Sequence, residues 1–167
     1  GRWLAVGSGS YIELLGNDYF RKAIFDNKHE VASIAFDSES KLLVSASGRS
    51  VRVWSVIEKK LLATLKGHKK IINSVTIDPN RKWIASGDEK CIFLWSMPEL
   101  KRERVLKHAT NSVVFSSSGK LLVSGGKDKN IRLWSIVDIS GSSAESVGKF
   151  SSGIAQKVVP NEVLSRF

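Results

Sequence analysis

Cysteine is all but missing from this sequence. Cys91 stands alone, so no disulfide can close within the chain and no paired thiols offer a metal site. The one methionine, Met97, lies mid-chain, and the chain starts at Gly1 without an initiator methionine, which raises the expectation of a piece cut from a longer protein. No apolar run approaches the roughly 18 residues that a membrane-spanning helix needs, and the start has no signal-peptide core. Membrane insertion and secretion are not expected; a reducing setting, cytoplasmic or nuclear, is. A Gly-x-x-x-x-Gly-Lys phosphate loop and a Gly-x-Ser-x-Gly nucleophile elbow are both missing. Acidic residues are outnumbered 16 to 26, which leaves a net charge of +10. That excess fits acidic partners such as nucleic acid, acidic tails or phosphorylated segments, and it equally fits a lysine-rich solvated surface.

What is present is a repeat. Trp54, Trp95 and Trp134 fall 41 and then 39 residues apart, and the three histidines, His29, His68 and His108, fall 39 and 40 apart. Two residue types holding one phase through three copies mark a structural unit of about 40 residues. Each copy reads as β: Ile72–Ile77 is an alternating run ended by Asp78-Pro79-Asn80, and Ile34-Ala35-Phe36 and Val113-Val114-Phe115 are followed by polar turns. A second strand, a short turn, a third strand ending in Trp-Ser and a fourth strand such as Leu61–Leu65 complete the unit. Trp3–Gly7 and Leu14–Gly16 align as an incomplete copy that lacks its first strand. Four short strands per unit of about 40 residues predict an all-β fold of propeller blades, each stacked on its neighbours.

On these residues the chain resembles the WD40 repeat family. Lys66-Gly67-His68, with Trp95 following, and Val123–Trp134 carry the likeness, although the family's Trp-Asp pair stands here as Trp-Ser. The resemblance implies WD40-type β-propeller blades of four antiparallel strands. The expected units are an incomplete blade at 1–27, blades at 28–66, 67–106 and 107–150, and a tail or linker at 151–167. WD40 rings most often hold about seven blades, and at about 40 residues each such a ring needs roughly 280 residues. The chain is therefore expected to be a fragment of a larger propeller continuing upstream. Ile154–Val159 is an alternative source for the strand that the first blade lacks.

The resemblance also implies a buried hydrogen-bonded set of His, Ser, Asp and Trp in each blade. His108, Ser124, Asp128 and Trp134 match it fully. His68, Ser86 and Trp95 form a partial set, because a turn one residue shorter leaves the reach of Asp88 open. His29, Ser45 and Trp54 form another, in which Gly48-Arg49-Ser50 offers no acid. His108, Ser124 and Asp128 also have the composition of a hydrolase triad. Their recurrence in every copy, and the place of Ser124 inside a strand, favour a structural network over an active site. No enzyme activity, cofactor or metal is expected.

In the family, partners often dock on the loops joining the fourth strand to the next blade and the second strand to the third. By phase these loops hold Arg49, Lys69, Lys70, Lys90, Lys127 and Lys129, with Lys28, Lys66 and Lys107 beside them. The opposite connections are basic too, with Lys59, Lys60, Lys101, Arg102 and Arg104. The expected function is a protein–protein interaction scaffold for partners bearing acidic or phosphorylated segments. A nucleic-acid-associated factor is the second reading and a hydrolase-type propeller the third. Aromatic residues do not interleave with the basic loops, which weighs against single-strand stacking.

Overall fold

In the computed structural model, residues 3–136 and 146–151 are described. Among them all regular structure is β. The first sheet comprises β1 (Leu4–Ser8), β2 (Tyr11–Leu15) and β3 (Arg21–Asp26). The second comprises β4 (Val31–Phe36), β5 (Leu42–Ser47), β6 (Ser50–Ser55) and β7 (Lys60–Lys66). The third comprises β8 (Ile72–Ile77), β9 (Trp83–Asp88), β10 (Ile92–Ser96) and β11 (Arg102–Leu106). The fourth comprises β12 (Ser112–Phe115), β13 (Leu121–Gly125), β14 (Asn130–Ser135) and β15 (Ser146–Ser151). Each sheet is an antiparallel meander in which every strand pairs with its neighbour in sequence. The segment 154–159, considered as a closing strand, lies outside the described residues.

Burial follows from stacking sheet on sheet. The middle strands β5, β6, β9 and β10 are buried on both faces and interleave valine, isoleucine, leucine, phenylalanine and tryptophan, which suit a pleated, covered surface, with small serine and alanine residues. The outer strands β7 and β11 keep mostly exposed side chains. Three cores lie between consecutive sheets. Ile12, Leu14 and Phe25 meet Leu43 and Trp54. Val44, Val51 and Val53 meet Val75, Ile84 and Trp95. Ile92, Leu94 and Leu106 meet Val113, Leu122 and Trp134. Each repeat tryptophan therefore points at the preceding sheet, and Phe25 stacks on Trp54 with ring centroids 4.9 Å apart.

Polar contacts repeat at each junction. The Val75 amide donates to Ser33 Oγ at 3.1 Å, and the Val113 amide donates to Ser74 Oγ at 3.1 Å. At one end of the stack, the chain entering each sheet donates to the previous sheet's tight turn: Val31 N to Gly9 O at 2.8 Å, Ile72 N to Gly48 O and Thr110 N to Asp88 O at 2.9 Å. At the other end, Asp37 Oδ1 accepts the amides of Lys41 and Leu42 at 2.7 and 2.8 Å, and Arg81 from the next sheet reaches Asp37 at 3.0 Å and Glu39 at 2.7 Å. The same turn position takes the left-handed conformation in three sheets, at Ser40, Arg81 and Gly119.

Candidate functional site

The best-formed polar network surrounds His68, in the loop from β7 to β8. The indole N–H of Trp95 donates to Ser86 Oγ at 2.8 Å, and Ser86 Oγ lies 2.8 Å from His68 Nε2. His68 Nδ1 lies 2.7 Å from Asp88 Oδ2. One neutral tautomer satisfies the whole chain: Ser86 O–H donates to Nε2, and Nδ1–H donates to the carboxylate. The other carboxylate oxygen accepts the amides of Lys90 and Cys91 at 2.7 and 2.9 Å. The short turn thus folds onto Asp88, which sits at the end of β9 and not in the turn itself. This completes the set whose reach the sequence left open. Burial, the largest influence on His68, lowers its pKa in spite of Asp88. Burial pulls Asp88 upward, but the His68 N–H and the two amides together outweigh it and hold the carboxyl below its ordinary value.

The network around His108 is looser at its acidic end. Ser124 Oγ accepts from Trp134 at 2.9 Å and lies 2.7 Å from His108 Nδ1. Asp128 stands 3.4 Å from His108 Nε2, and its side chain is 36% exposed. Its second oxygen pairs with Arg132 at 2.8 Å. Hydrogen bonds from Asn130, Arg132 and His108 hold this carboxyl well below the usual range. The set that matches the repeat pattern best in sequence therefore has the weaker His–Asp contact, because Arg132 competes for the acid.

The set expected around His29 is built differently. Trp54 donates to Ser45 Oγ at 2.9 Å, but Ser45 Oγ donates to Asn27 Oδ1 at 2.5 Å, and Asn27 is fully buried. His29 is exposed, and its imidazole packs over Gly48. Lys28 in the left-handed conformation turns the chain between the two. Asn27 fills the place that histidine takes in the other sheets, and Ser47 Oγ donates to backbone oxygens of Asn27 and His29 at 3.0 and 2.6 Å.

All three serine hydroxyls in these networks are buried and bonded to a tryptophan N–H. A nucleophilic serine needs room for an electrophile and a free approach. Ser124, at 1% exposure, has neither.

Arg49, Lys69, Lys70, Lys90, Lys127 and Lys129 are all exposed. They lie on loops at the end of the stack where sheet-to-sheet backbone bonds form. Lys70 pairs with Glu89 at 3.0 Å, and Lys127 and Lys90 also help lower the Glu89 pKa after that pairing. Three lysines from three loops thus share one neighbourhood. The Ile72–Gly48 bond sets Arg49 beside the segment that holds Lys69 and Lys70. Lys129 shares a turn with Lys127. The opposite end carries more internal pairing: Lys60–Glu58, Lys41–Glu39, and Arg81 with Asp37 and Glu39. Arg102, expected among those connections, lies at the start of β11 with its guanidinium 4.7 Å from the Phe93 ring centroid. A groove of about 840 Å³ at that end is lined by both signs of charge, including Lys82, Lys120, Glu99 and Glu103. Among the described residues no helix is long and apolar enough to cross a membrane.

Comparison with known proteins agrees with the blade geometry. The family model described as "WD domain, G-beta repeat" (WD40) matches residues 22–55, 59–96 and 101–135. Transducin beta-like protein 3 of Rattus norvegicus is 30% identical over 139 residues, covering 79% of this chain and 17% of that protein. Polycomb protein EED of Chaetomium thermophilum is 29% identical over 106 residues, covering 57% of the chain and 19% of that protein. Pre-mRNA-processing factor 19 of Bos taurus is 28% identical over 104 residues, covering 60% and 20%. The chain thus spans about a fifth or less of each of these relatives.

Proposed function

Because this chain belongs to the WD40 repeat family, we propose that it acts as a protein–protein interaction scaffold with no chemistry of its own. WD40 proteins generally bind other proteins and are generally not catalysts. The observation that supports the reading most directly is the cluster of exposed basic loops on one end of the stack. Backbone hydrogen bonds from the next sheet tie down the turns beside Arg49 and Lys90, and bonds within the turn hold Lys127 and Lys129, so little ordering entropy is lost when a partner docks. The proposed partner presents an acidic or phosphorylated segment, and the positive potential of this end speeds its encounter. Part of a larger ring is the proposed context. The outer face of the first sheet exposes Leu4, Val6, Tyr11 and Ile24, and that of the fourth exposes Val114 and Ile131, as faces awaiting neighbouring blades would. The lone Cys91 thiol suits a reducing compartment, cytoplasmic or nuclear.

The test is a comparative capture from nuclease-treated native extract, read by mass spectrometry. The baits are the wild type, a variant with Arg49, Lys69, Lys70 and Lys129 changed to Glu, and a variant with Lys59 and Lys101 changed to Glu. Proteins lost only from the first variant support the reading, and they should be rich in acidic segments. An unchanged set refutes the role of these loops. A set emptied by nuclease alone favours nucleic acid, whose phosphate contacts would also make affinity fall steeply with salt.

A further inference from the structure

His68 lies in a loop, Asp88 ends β9, and Cys91 precedes β10, yet their ligand atoms all lie within 4.8 Å of one another. Among the described residues this is the one place where three such groups converge. The Cys91 sulfur is 3.6 Å from Asp88 Oδ1, and His68 Nδ1 is 2.7 Å from Asp88 Oδ2. The His68 and Asp88 side chains are buried, whereas Cys91 is half-buried. Cysteine occurs here in one repeat only. Four residues before the blade tryptophan, the second sheet carries Ser50 and the fourth Asn130.

We infer that His68, Asp88 and Cys91 form a binding site for a divalent transition metal of the zinc class, with water in the fourth position. One imidazole nitrogen, one carboxylate oxygen and one thiolate are a donor set that zinc accepts. Carboxylate and thiolate together offset the two charges of the cation, while Arg102, over Phe93, and Lys90, in the β9–β10 turn, are the cationic groups that face the site and favour the thiolate. The protons balance as well. The Cys91 thiol proton leaves to solvent, and the imidazole proton moves from Nδ1 to Nε2, which frees Nδ1 for the metal. Nε2–H then donates to Ser86 Oγ, the outer hydrogen bond that a metal-bound histidine usually makes. Zinc stands roughly 2.0–2.3 Å from its ligands, so the Cys91 sulfur must swing inward while His68 and Asp88 separate slightly. Burial holds the free thiol up at about 11. A dication reverses that preference, so uptake should release a proton and weaken as pH falls.

The experiment is anaerobic titration of the full chain with Co²⁺, followed by competition with Zn²⁺. The expected result is one equivalent of cobalt with a near-ultraviolet thiolate-to-metal band, displaced by zinc, and a rise in melting temperature with zinc. Cys91→Ala leaves the His68–Asp88–Ser86–Trp95 network intact. It should abolish the band and weaken zinc binding by more than the roughly 10–100-fold that removing an outer partner costs. His29→Ala, at an exposed histidine, should bind as the wild type does. No cobalt band in the wild type, or equal zinc affinity in Cys91→Ala, overturns the site.

Discussion

Asp88→Asn isolates one side chain whose worth the geometry ranks above that of its counterpart Asp128. Asp88 is buried and accepts three N–H groups, from His68, Lys90 and Cys91. Asparagine keeps one acceptor oxygen for the turn amides but sets its NH₂ against His68 Nδ1–H. His68 must then change tautomer and abandon the proton that Ser86 donates, or leave two donors face to face. Losing a charge-assisted bond at a buried site costs about 1.5–3 kcal/mol. In a chain of this size that corresponds to a fall of roughly 3–12 °C in melting temperature. At Asp128 the bond to His108 is 3.4 Å, and the carboxylate stays partly in water with Arg132. There Asp128→Asn should cost less than about 1 kcal/mol, since exposed ion pairs contribute little. The assay is urea unfolding of both variants at neutral pH, with midpoints compared at equal slope. Equal losses, or a larger loss at Asp128, would refute the claim that geometry and not the match to the repeat pattern sets the strength of these networks.

Acid should weaken the fold in a defined order. His68 has a depressed pKa, so the unfolded chain takes up its proton first and stability declines as pH drops below about 6.5. Asp88 is also depressed, so its contribution is complete above its ordinary value near 3.8 and is lost below it. Thermal melts from pH 8 to 4 should show the first decline, and His68→Asn should remove the portion near pH 6. Asn27→Ala should cost about 1–3 kcal/mol by leaving the buried Ser45 hydroxyl without its acceptor, whereas His29→Ala should stay within about 0.5 kcal/mol; denaturant midpoints decide between them. Gly119→Ala sets a Cβ against the side-chain tips of Asp78 and Asn80 at a φ of +71°, and should destabilise by at least the roughly 1–2 kcal/mol of left-handed strain, read by the same unfolding assay.

The blade pattern was legible because it depends on spacing. Tryptophan and histidine keep phase, and alternation within each run marks a strand. The networks were less legible because they depend on turn length and on local competition. Asp88 reaches His68 through a shorter turn that tightens onto the carboxylate, and composition does not reveal that closure. Asp128 matches the pattern but is shared with Arg132, four residues on along β14. His29 holds the repeat phase, yet the left-handed Lys28 turns it outward and Asn27, two residues earlier, takes its place. A buried asparagine flanked by Asp26 and Lys28 gives little hint of this in one sequence. The convergence on Cys91 was hidden for a similar reason: its partners are separated in sequence and meet only through the β9–β10 turn.

Each repeat tryptophan faces backward, onto the sheet that precedes it in the chain. Synthesis proceeds from the amino terminus, and early portions fold first. When Trp54 emerges, Ile12, Leu14 and Phe25 already exist to cover it, and Trp95 and Trp134 each find the previous sheet in place. The order in which residues leave the ribosome is thus the order in which the largest apolar side chains gain their shelter. A growing chain of this design carries one sticky face forward at a time.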